Sequence, residues 1–245
     1  MAHYRMLVDT AKCMNCGACV LGCQQRNSVP YGYYRNWIRV FPSRTHMAGA
    51  EFQPGGCMQC EFPVCVDACP TLATWKGVGG VVMIDRRRCI GCGACIAACP
   101  YDARYRHPTL GVADKCDYCA STRSLGVEPA CVQLCPTRVR LFGNDADSAD
   151  PVAKALAAGP LVYVKSKQTP TGPTLAYIGQ TTSSDWPRAG GIPAPIAAMS
   201  FLATGIRWLA GLSFFGVVAM FFKQLVLPSD KKGTHTGSDM GGLGG

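Results

Sequence analysis

The chain has 245 residues, enough for one or two domains, and only 16% of them are charged. Its 28 glycines and 17 prolines imply many loops, and the formal net charge of +9 is not gathered into a basic stripe interleaved with aromatic residues. The composition therefore argues against a nucleic-acid-binding protein. The sequence also lacks a phosphate-binding loop and a nucleophile–base pair, so nothing in it suggests chemistry on a substrate.

The first predicted element is a short strand, Met6 to Asp9, and the cysteine run CMNCGACVLGC follows it. The spacing C-x2-C-x2-C-x3-C is typical of ferredoxins that bind 4Fe–4S clusters. Small residues between the cysteines let several thiolates converge on one cluster, and glycine allows the positive φ angles of a tight loop. The run predicts four cluster ligands: Cys13, Cys16, Cys19 and Cys23.

Residues 24–56 form a long gap before the next cysteine, and we interpret this gap as an insertion. It is rich in aromatic residues, namely Tyr31, Tyr33, Tyr34, Trp37 and Phe41. Two interpretations stay open at this point. These side chains pack under the insertion in the ordinary way, or they cover clusters and dock a partner.

Two further cysteine runs follow, and each of them ends in a proline that turns the chain away. The run CMQCEFPVCVDACP widens the middle spacing to four residues, and CIGCGACIAACP matches the ferredoxin spacing in full. A strand over Val81 to Asp85 is predicted before the second of these, which gives the strand–loop–helix order of half a ferredoxin. The predicted ligands are Cys57, Cys60, Cys65, Cys69, Cys89, Cys92, Cys95 and Cys99.

The fourth run widens the middle spacing to eleven residues, and its cysteines are Cys116, Cys119, Cys131 and Cys135. All 16 cysteines of the chain then belong to four sets of four, with none left over. Structural zinc sites usually use two C-x2-C pairs, and disulfide frameworks rarely repeat one local spacing four times. Both alternatives are therefore disfavoured, and the sequence predicts four 4Fe–4S clusters.

The remaining sequence changes in character. We assign residues 1–142 to a four-cluster region and residues 143–191 to a peripheral subdomain and linker. Within the latter, Pro151 to Ala158 is predicted to be a helix with proline in its first turn, and Leu161 to Lys165 a strand.

Residues 192–204 are a possible interfacial helix, and residues 205–227 are predicted to be a single transmembrane helix. This stretch contains the uncharged run WLAGLSFFGVVAMFF and is long enough to span a bilayer. A core helix or a partner-docking helix is the alternative. Residues 228–245 are low in complexity, and we expect them to be disordered.

Positive charges flank the predicted span unequally. Lys223, Lys231 and Lys232 lie at or beyond its end, against Arg207 and the more distant Arg188 before it. The positive-inside rule then places the tail in the cytoplasm and the cluster region on the periplasmic side of the inner membrane. The first ten residues lack the apolar run of a signal peptide, so we expect export in the folded state with a partner that carries the signal.

Taken together, these motifs resemble the four-cluster iron–sulfur (beta) subunits of the molybdopterin oxidoreductase family. The resemblance covers nearly all of residues 5–180 and includes VDTAKCMNCGACVLGCQQRNSVP and PACVQLCPTRVRLFG. The beta subunits of polysulfide, thiosulfate and tetrathionate reductases are similar. A single C-terminal membrane helix is more like that of membrane-bound formate dehydrogenase. Glutamine instead of proline after Cys23 is a departure from the pattern.

The resemblance implies how the cysteines are shared among four ligand groups. The first and fourth runs interleave around one pair of clusters, and the second and third runs around the other pair. The first group is Cys13, Cys16, Cys19 and Cys135, and the second is Cys23, Cys116, Cys119 and Cys131. The third group is Cys57, Cys60, Cys65 and Cys99, and the fourth is Cys69, Cys89, Cys92 and Cys95.

The resemblance implies an α+β fold with a tandem bacterial-ferredoxin-like domain, and we expect the C-terminal transmembrane helix after it. The expected function is electron transfer by a non-catalytic subunit. Its partners would be a large molybdopterin catalytic subunit, a quinone-reactive membrane subunit or cytochrome, and the lipid bilayer. The alternative is a membrane-anchored ferredoxin of a periplasmic hydrogenase or multihaem cytochrome complex. Four charged residues flank the ligands and either tune cluster potentials or face solvent: Asp67, Lys76, Asp102 and Arg104.

Overall fold

The fold is organised around a four-stranded sheet that brings together distant parts of the sequence. A computed structural model describes residues 2–42, 49–179, 187 and 194–226. The strands of the sheet are β1 (Tyr4–Asp9), β8 (Arg140–Asn144), β9 (Leu161–Val162) and β10 (Ala176–Ile178), in the order β8-β1-β10-β9. Since β1 pairs antiparallel with β8 and parallel with β10, the first strand lies beside the segments that follow the last cysteine.

The remaining six strands form three antiparallel hairpins. They are β2 (Asn36–Pro42) with β3 (Ala50–Gly56), β4 (Thr74–Lys76) with β5 (Val82–Ile84), and β6 (Tyr105–Arg106) with β7 (Ala113–Asp114). The insertion thus forms the β2–β3 hairpin. The strand predicted before the third cysteine run is β5, and the strand predicted before the first run is β1.

Five helices lie at the cysteine runs, and four of them have only four or five residues. They are α1 (Ala18–Asn27), α2 (Val64–Asp67), α3 (Ala94–Ala98), α4 (Ala120–Arg123) and α5 (Ala130–Gln133). Gly17 and Gly93 precede α1 and α3 with φ angles of 72° and 79°. These left-handed conformations suit glycine, and they let the backbone turn from the cysteine loop into the helix.

The predicted helix α6 (Pro151–Ala158) is found with its predicted bounds. Asp150 caps it by accepting a hydrogen bond from the backbone N–H of Val152, and Pro151 occupies the first turn. Val152 packs with Leu7 of β1 and Ala176 of β10, so residues 143–179 contribute to the same body as the cysteine runs.

The core is small, and cysteines form part of it. Met6, Val8, Tyr118 and Tyr177 are buried in one cluster together with several cysteine side chains. This arrangement agrees with a protein in which metal ligation supplies much of the folding free energy.

The protein divides into two units, Met1–Ala197 and Ala198–Gly245. The described part of the second unit, residues 198–226, is helical and belongs to α7 (Ala194–Val226). Helix α7 includes residues of both the predicted interfacial segment and the predicted span, and the division between these two segments stays a prediction. In the part of the sequence that the structure describes, no helix is long and apolar enough to cross a membrane, and the predicted transmembrane helix is not confirmed. The tail 228–245 lies outside the described residues.

Candidate metal centres

All 16 cysteines lie in the described part of the protein, and all are free thiols. Fourteen are buried or partly buried, and only Cys16 and Cys92 are exposed. In the same described ranges, no three or more His, Cys, Asp and Glu side chains are arranged to hold a single metal ion.

The first ligand group surrounds a cavity. Cys13, Cys16, Cys19 and Cys135 line a space of about 310 Å³. The first three precede or begin α1, and Cys135 follows α5, so the packing of α1 against α5 brings them together. Gly22 makes this packing close, since a Cβ there would overlap the side chain of Leu134.

The second group combines Cys23 of α1 with three cysteines of the fourth run. The side-chain amide of Asn27 lies 3.6 Å from the Sγ atoms of both Cys23 and Cys119. Burial raises the pKa of Cys23 to about 12, and the negative charges of Cys131 and Cys119 add to this effect. Burial likewise raises the pKa of Cys116 well above its usual value, followed by the charges of Cys23 and Cys131.

The third group lies in the second half of the cysteine region. Burial raises the pKa of Cys60, and the charges of Cys57, Cys65 and Cys99 add to this effect. Burial raises the pKa of Cys65 to about 11, although the charge of Arg104 opposes the change.

The fourth group is also indicated by the thiolates that act on one of its buried members, Cys95. Burial raises the pKa of Cys95, Arg104 opposes the change, and the charges of Cys69 and Cys89 support it. Cys92 lies at the surface in the same loop as Cys89. The thiolates that act on these cysteines belong in each case to the group that the resemblance implies. The full assignment of four cysteines to each cluster stays a prediction.

Thiolate ligands need hydrogen-bond donors, and this protein provides them. The backbone N–H of Val139 donates to Cys135 Sγ at 3.3 Å, and that of Ala113 donates to Cys89 Sγ at 3.4 Å. The net pKa of Cys135 is lowered because backbone and Thr137 hydroxyl donors outweigh the burial that raises it. The cavity lined by the four cysteines of the first group, with an N–H donor at Cys135, fits a 4Fe–4S cluster, whose ligands are thiolates and whose potential depends on such hydrogen bonds.

Three residues connect neighbouring groups and so define a linear order. Tyr118 is wholly buried, and the thiolates that act most strongly on it are Cys116 and Cys131 of the second group and Cys57 of the third. Arg104 donates to Cys65 of the third group at 2.9 Å and also acts on Cys95 of the fourth. Arg140 adds the remaining link, because it lines the cavity of the first group and its charge acts on Cys131 of the second. The order is first, second, third and fourth group.

Of the four charged residues predicted to flank ligands, Arg104 is the one that donates to a thiol. Lys76 forms an ion pair with Glu61 at 2.7 Å, and Asp67 and Asp102 are exposed. The sequence interpretation missed Arg140, which is buried at the wall of the first cavity. The signal that could have found it is its position, five residues after Cys135, as Arg104 is five residues after Cys99.

The insertion places aromatic side chains beside the fourth group. Tyr33, Tyr34 and Trp37 line an open groove of about 1060 Å³ together with Ile96 of α3 and Arg104. Tyr33 packs on Tyr105 with ring centroids 5.0 Å apart. Three aromatic side chains of the insertion therefore lie near α3, the helix that carries Cys95 of the fourth group. Tyr31, in contrast, is fully exposed.

A buried ion pair anchors this insertion. Arg35 donates to both carboxylate oxygens of Asp114, at 2.7 and 2.9 Å, and to the Asn27 side chain at 3.1 Å. Although burial raises the pKa of Asp114, the hydrogen bonds and charge of Arg35 outweigh it and hold that pKa below its usual value. Tyr105 also donates to this carboxylate.

Comparison with known proteins agrees with this geometry. Residues 12–73 and residues 48–145 each match a family model described as a 4Fe-4S dicluster domain. The thiosulfate reductase electron transfer subunit PhsB of Salmonella typhi is 44% identical over 146 residues, 58% of this sequence and 76% of that protein. The B component of the tetrathionate reductase of Archaeoglobus fulgidus is 43% identical over 179 residues, 73% of this sequence and 83% of that protein. The B component of the polysulfide reductase of Wolinella succinogenes is 38% identical over 166 residues, 66% of this sequence and 87% of that protein.

Proposed function

Because this protein belongs to the family of four-cluster iron–sulfur subunits of the molybdopterin oxidoreductases, we propose that it connects a large molybdopterin catalytic subunit to a quinone-reactive membrane subunit or cytochrome. The protein transfers electrons through four 4Fe–4S clusters, each of which takes up and releases one electron when bound. Its cysteines hold the clusters, and its fold sets the order of the clusters along the protein.

The observation that supports this proposal best is the exposure of the two ends of the linear order. Cys16 of the first group and Cys92 of the fourth group are the two exposed cysteines. Each has an exposed apolar neighbour, Met14 at 59% and Ile90 at 66% exposure. A buried path with two exposed, apolar ends suits a subunit that docks one redox partner at each end.

By analogy with the family, the first and second groups face the catalytic subunit, and the third and fourth face the membrane partner. The Cys16 end then contacts the molybdopterin subunit, and the Cys92 end contacts the quinone-reactive subunit or cytochrome. Interfaces of this kind would cover Met14 and Ile90.

We also propose that the protein is attached to the inner membrane through α7, with the cluster region on the periplasmic side and the tail in the cytoplasm. This proposal goes beyond the structural finding on α7. It stands on the uncharged run from Trp208 to Phe222 and on the lysines that follow it. Membrane fractionation of cells that express the full chain or a chain ending at residue 190 tests the attachment, and protease accessibility in spheroplasts tests the sidedness. Recovery of the full chain in the soluble fraction would contradict the attachment.

The experiment that tests the electron-transfer assignment is an anaerobic, detergent-solubilised purification of the complex through this protein. Metals and co-purifying subunits are then identified together. Molybdenum or tungsten beside about sixteen irons per chain supports the proposal, and the large subunit identifies the substrate. Nickel, or haem iron without molybdenum, would overturn the proposed partner and favour the hydrogenase or cytochrome alternative.

A further inference from the structure

Two buried arginines occupy equivalent positions in the two halves of the cysteine region. Arg104 and Arg140 each follow the last cysteine of a run by five residues, after Cys99-Pro and Cys135-Pro. The third residue of each intervening turn has a positive φ angle, 54° at Asp102 and 51° at Arg138. The same turn therefore carries both arginines inward, where their exposed fractions are 4% and 2%.

Arg104 lies between the third and fourth ligand groups. Its Nη2 donates to Cys65 Sγ at 2.9 Å, and its Nη1 donates to the Thr74 hydroxyl at 3.3 Å. Its charge also acts on Cys95, to which it contributes a hydrogen bond. One guanidinium thus reaches ligands of two neighbouring clusters.

Arg140 has the corresponding place between the first and second groups. It lines the cavity of the first group, and the thiolates that act on it belong to both groups, with Cys131 first and Cys19 second. Its Nη2 donates to the Gly55 carbonyl at 3.0 Å, whereas its Nε has no hydrogen-bond partner among the described residues. An unpartnered, fully buried N–H at a cluster cavity points to an acceptor in that cavity.

A buried guanidinium needs a nearby negative charge, because removal of a cation from water costs several kcal/mol. Within the described residues, neither arginine forms an ion pair with a carboxylate. The negative charges around them come from the cysteine thiolates and, in the loaded protein, from the clusters that the thiolates hold.

We propose that the positive charges of Arg104 and Arg140 help to set the reduction potentials of the clusters. Arg104 acts on the clusters of the third and fourth groups, and Arg140 acts on those of the first and second. A cluster becomes one charge more negative when it accepts one electron, and no proton or ligand moves in this step. A fixed positive charge favours the more negative state, so each arginine raises the potentials of both neighbouring clusters. The inference rests on the four clusters and is independent of which enzyme they serve.

The test is a redox titration followed by electron paramagnetic resonance on the purified holo-complex, with R104Q and R140Q compared with wild type. We expect R104Q to lower the potentials of two clusters and R140Q to lower those of the other two. The matched control is R138Q, because Arg138 is 63% exposed and pairs with Glu128 across 3.5 Å. It should leave all four potentials unchanged.

The lysine variants R104K and R140K separate charge from structure. They keep the positive charge but lose the guanidinium hydrogen bonds, so their cluster potentials should stay close to those of wild type. Unchanged potentials in R104Q and R140Q at full iron content would overturn the inference, as would a uniform shift of all four clusters. If a glutamine variant loses iron, a lysine variant with full iron and lowered potentials would also overturn it. None of these outcomes depends on the identity of the catalytic partner.

Discussion

The loop from Cys89 to Gly93 provides a stringent test of the fourth ligand group. Gly91 and Gly93 lie two residues apart in this loop, with φ angles of 67° and 79°. A Cβ at Gly91 would lie 1.9 Å from the backbone carbonyl oxygen of Gly111, whereas a Cβ at Gly93 would meet nothing within 4 Å. The variants G91A and G93A therefore share the strain of a positive φ angle, but only G91A adds a steric overlap.

The expected magnitudes follow from this difference. Left-handed backbone costs an alanine about 1–2 kcal/mol at either position. G91A adds the overlap with a main-chain oxygen that is fixed by a hydrogen bond from Arg106 at 3.1 Å, and such overpacking costs about another 1–3 kcal/mol. The displaced loop also carries Cys89 and Cys92, so the strain acts on two ligands of one cluster.

Iron content per chain and electron paramagnetic resonance of anaerobic preparations measure the result. G93A should keep its full iron content with a modestly lower thermal midpoint. G91A should lose about one cluster in four, and the remaining signals should keep their positions. Equal iron content and equal midpoints in G91A and G93A would refute this account of the loop.

Three further changes test other parts of the structure. C92S should alter one cluster signal, leave the other three unchanged, and interrupt quinone-linked turnover while dye-linked turnover of the complex persists; a change in two or more signals would contradict the grouping. D114N removes the carboxylate that pairs with buried Arg35 and should lower unfolding stability by about 3–5 kcal/mol. The control E128Q, at an exposed pair, should change stability by about 0–1 kcal/mol, and equal effects of D114N and E128Q in thermal scans would contradict a buried anchor. Y177F removes a buried hydroxyl that donates to a carbonyl of β3 at 3.1 Å, which should cost about 1 kcal/mol, and an unchanged thermal midpoint would show that this bond contributes nothing.

Local features of this protein were predictable because their causes are local. The cysteine spacings identify the cluster loops, since the reach of a short loop limits which thiolates can converge. The helix from Pro151 to Ala158 follows from a capping aspartate and a proline in the first turn. The strand at Met6 to Asp9 lies within β1.

Long-range features were not predictable from the residues alone. The pairing of β1 with β8 and β10 joins segments more than a hundred residues apart, and no local pattern encodes it. Only the family resemblance implied that Cys135 joins the first run. Arg140 was missed because its immediate sequence neighbours show no sign of burial, and only the comparison of its spacing from Cys135 with that of Arg104 from Cys99 points to it. The predicted transmembrane helix rested on apolar length alone, and no helix in the described ranges meets the requirements for a span.

The predicted grouping of the cysteines sets the order in which complete ligand groups are synthesised. The third and fourth groups draw all their ligands from residues 57–99, so a nascent polypeptide completes their coordination spheres first. The first and second groups need Cys131 and Cys135, which leave the ribosome roughly 2–7 s later at ordinary rates of synthesis. Cluster insertion there fastens the two ends of the cysteine region together, and β1 gains β8 as its neighbour at the same stage. A polypeptide interrupted before Cys131 would thus be a two-cluster protein with an unpaired first strand.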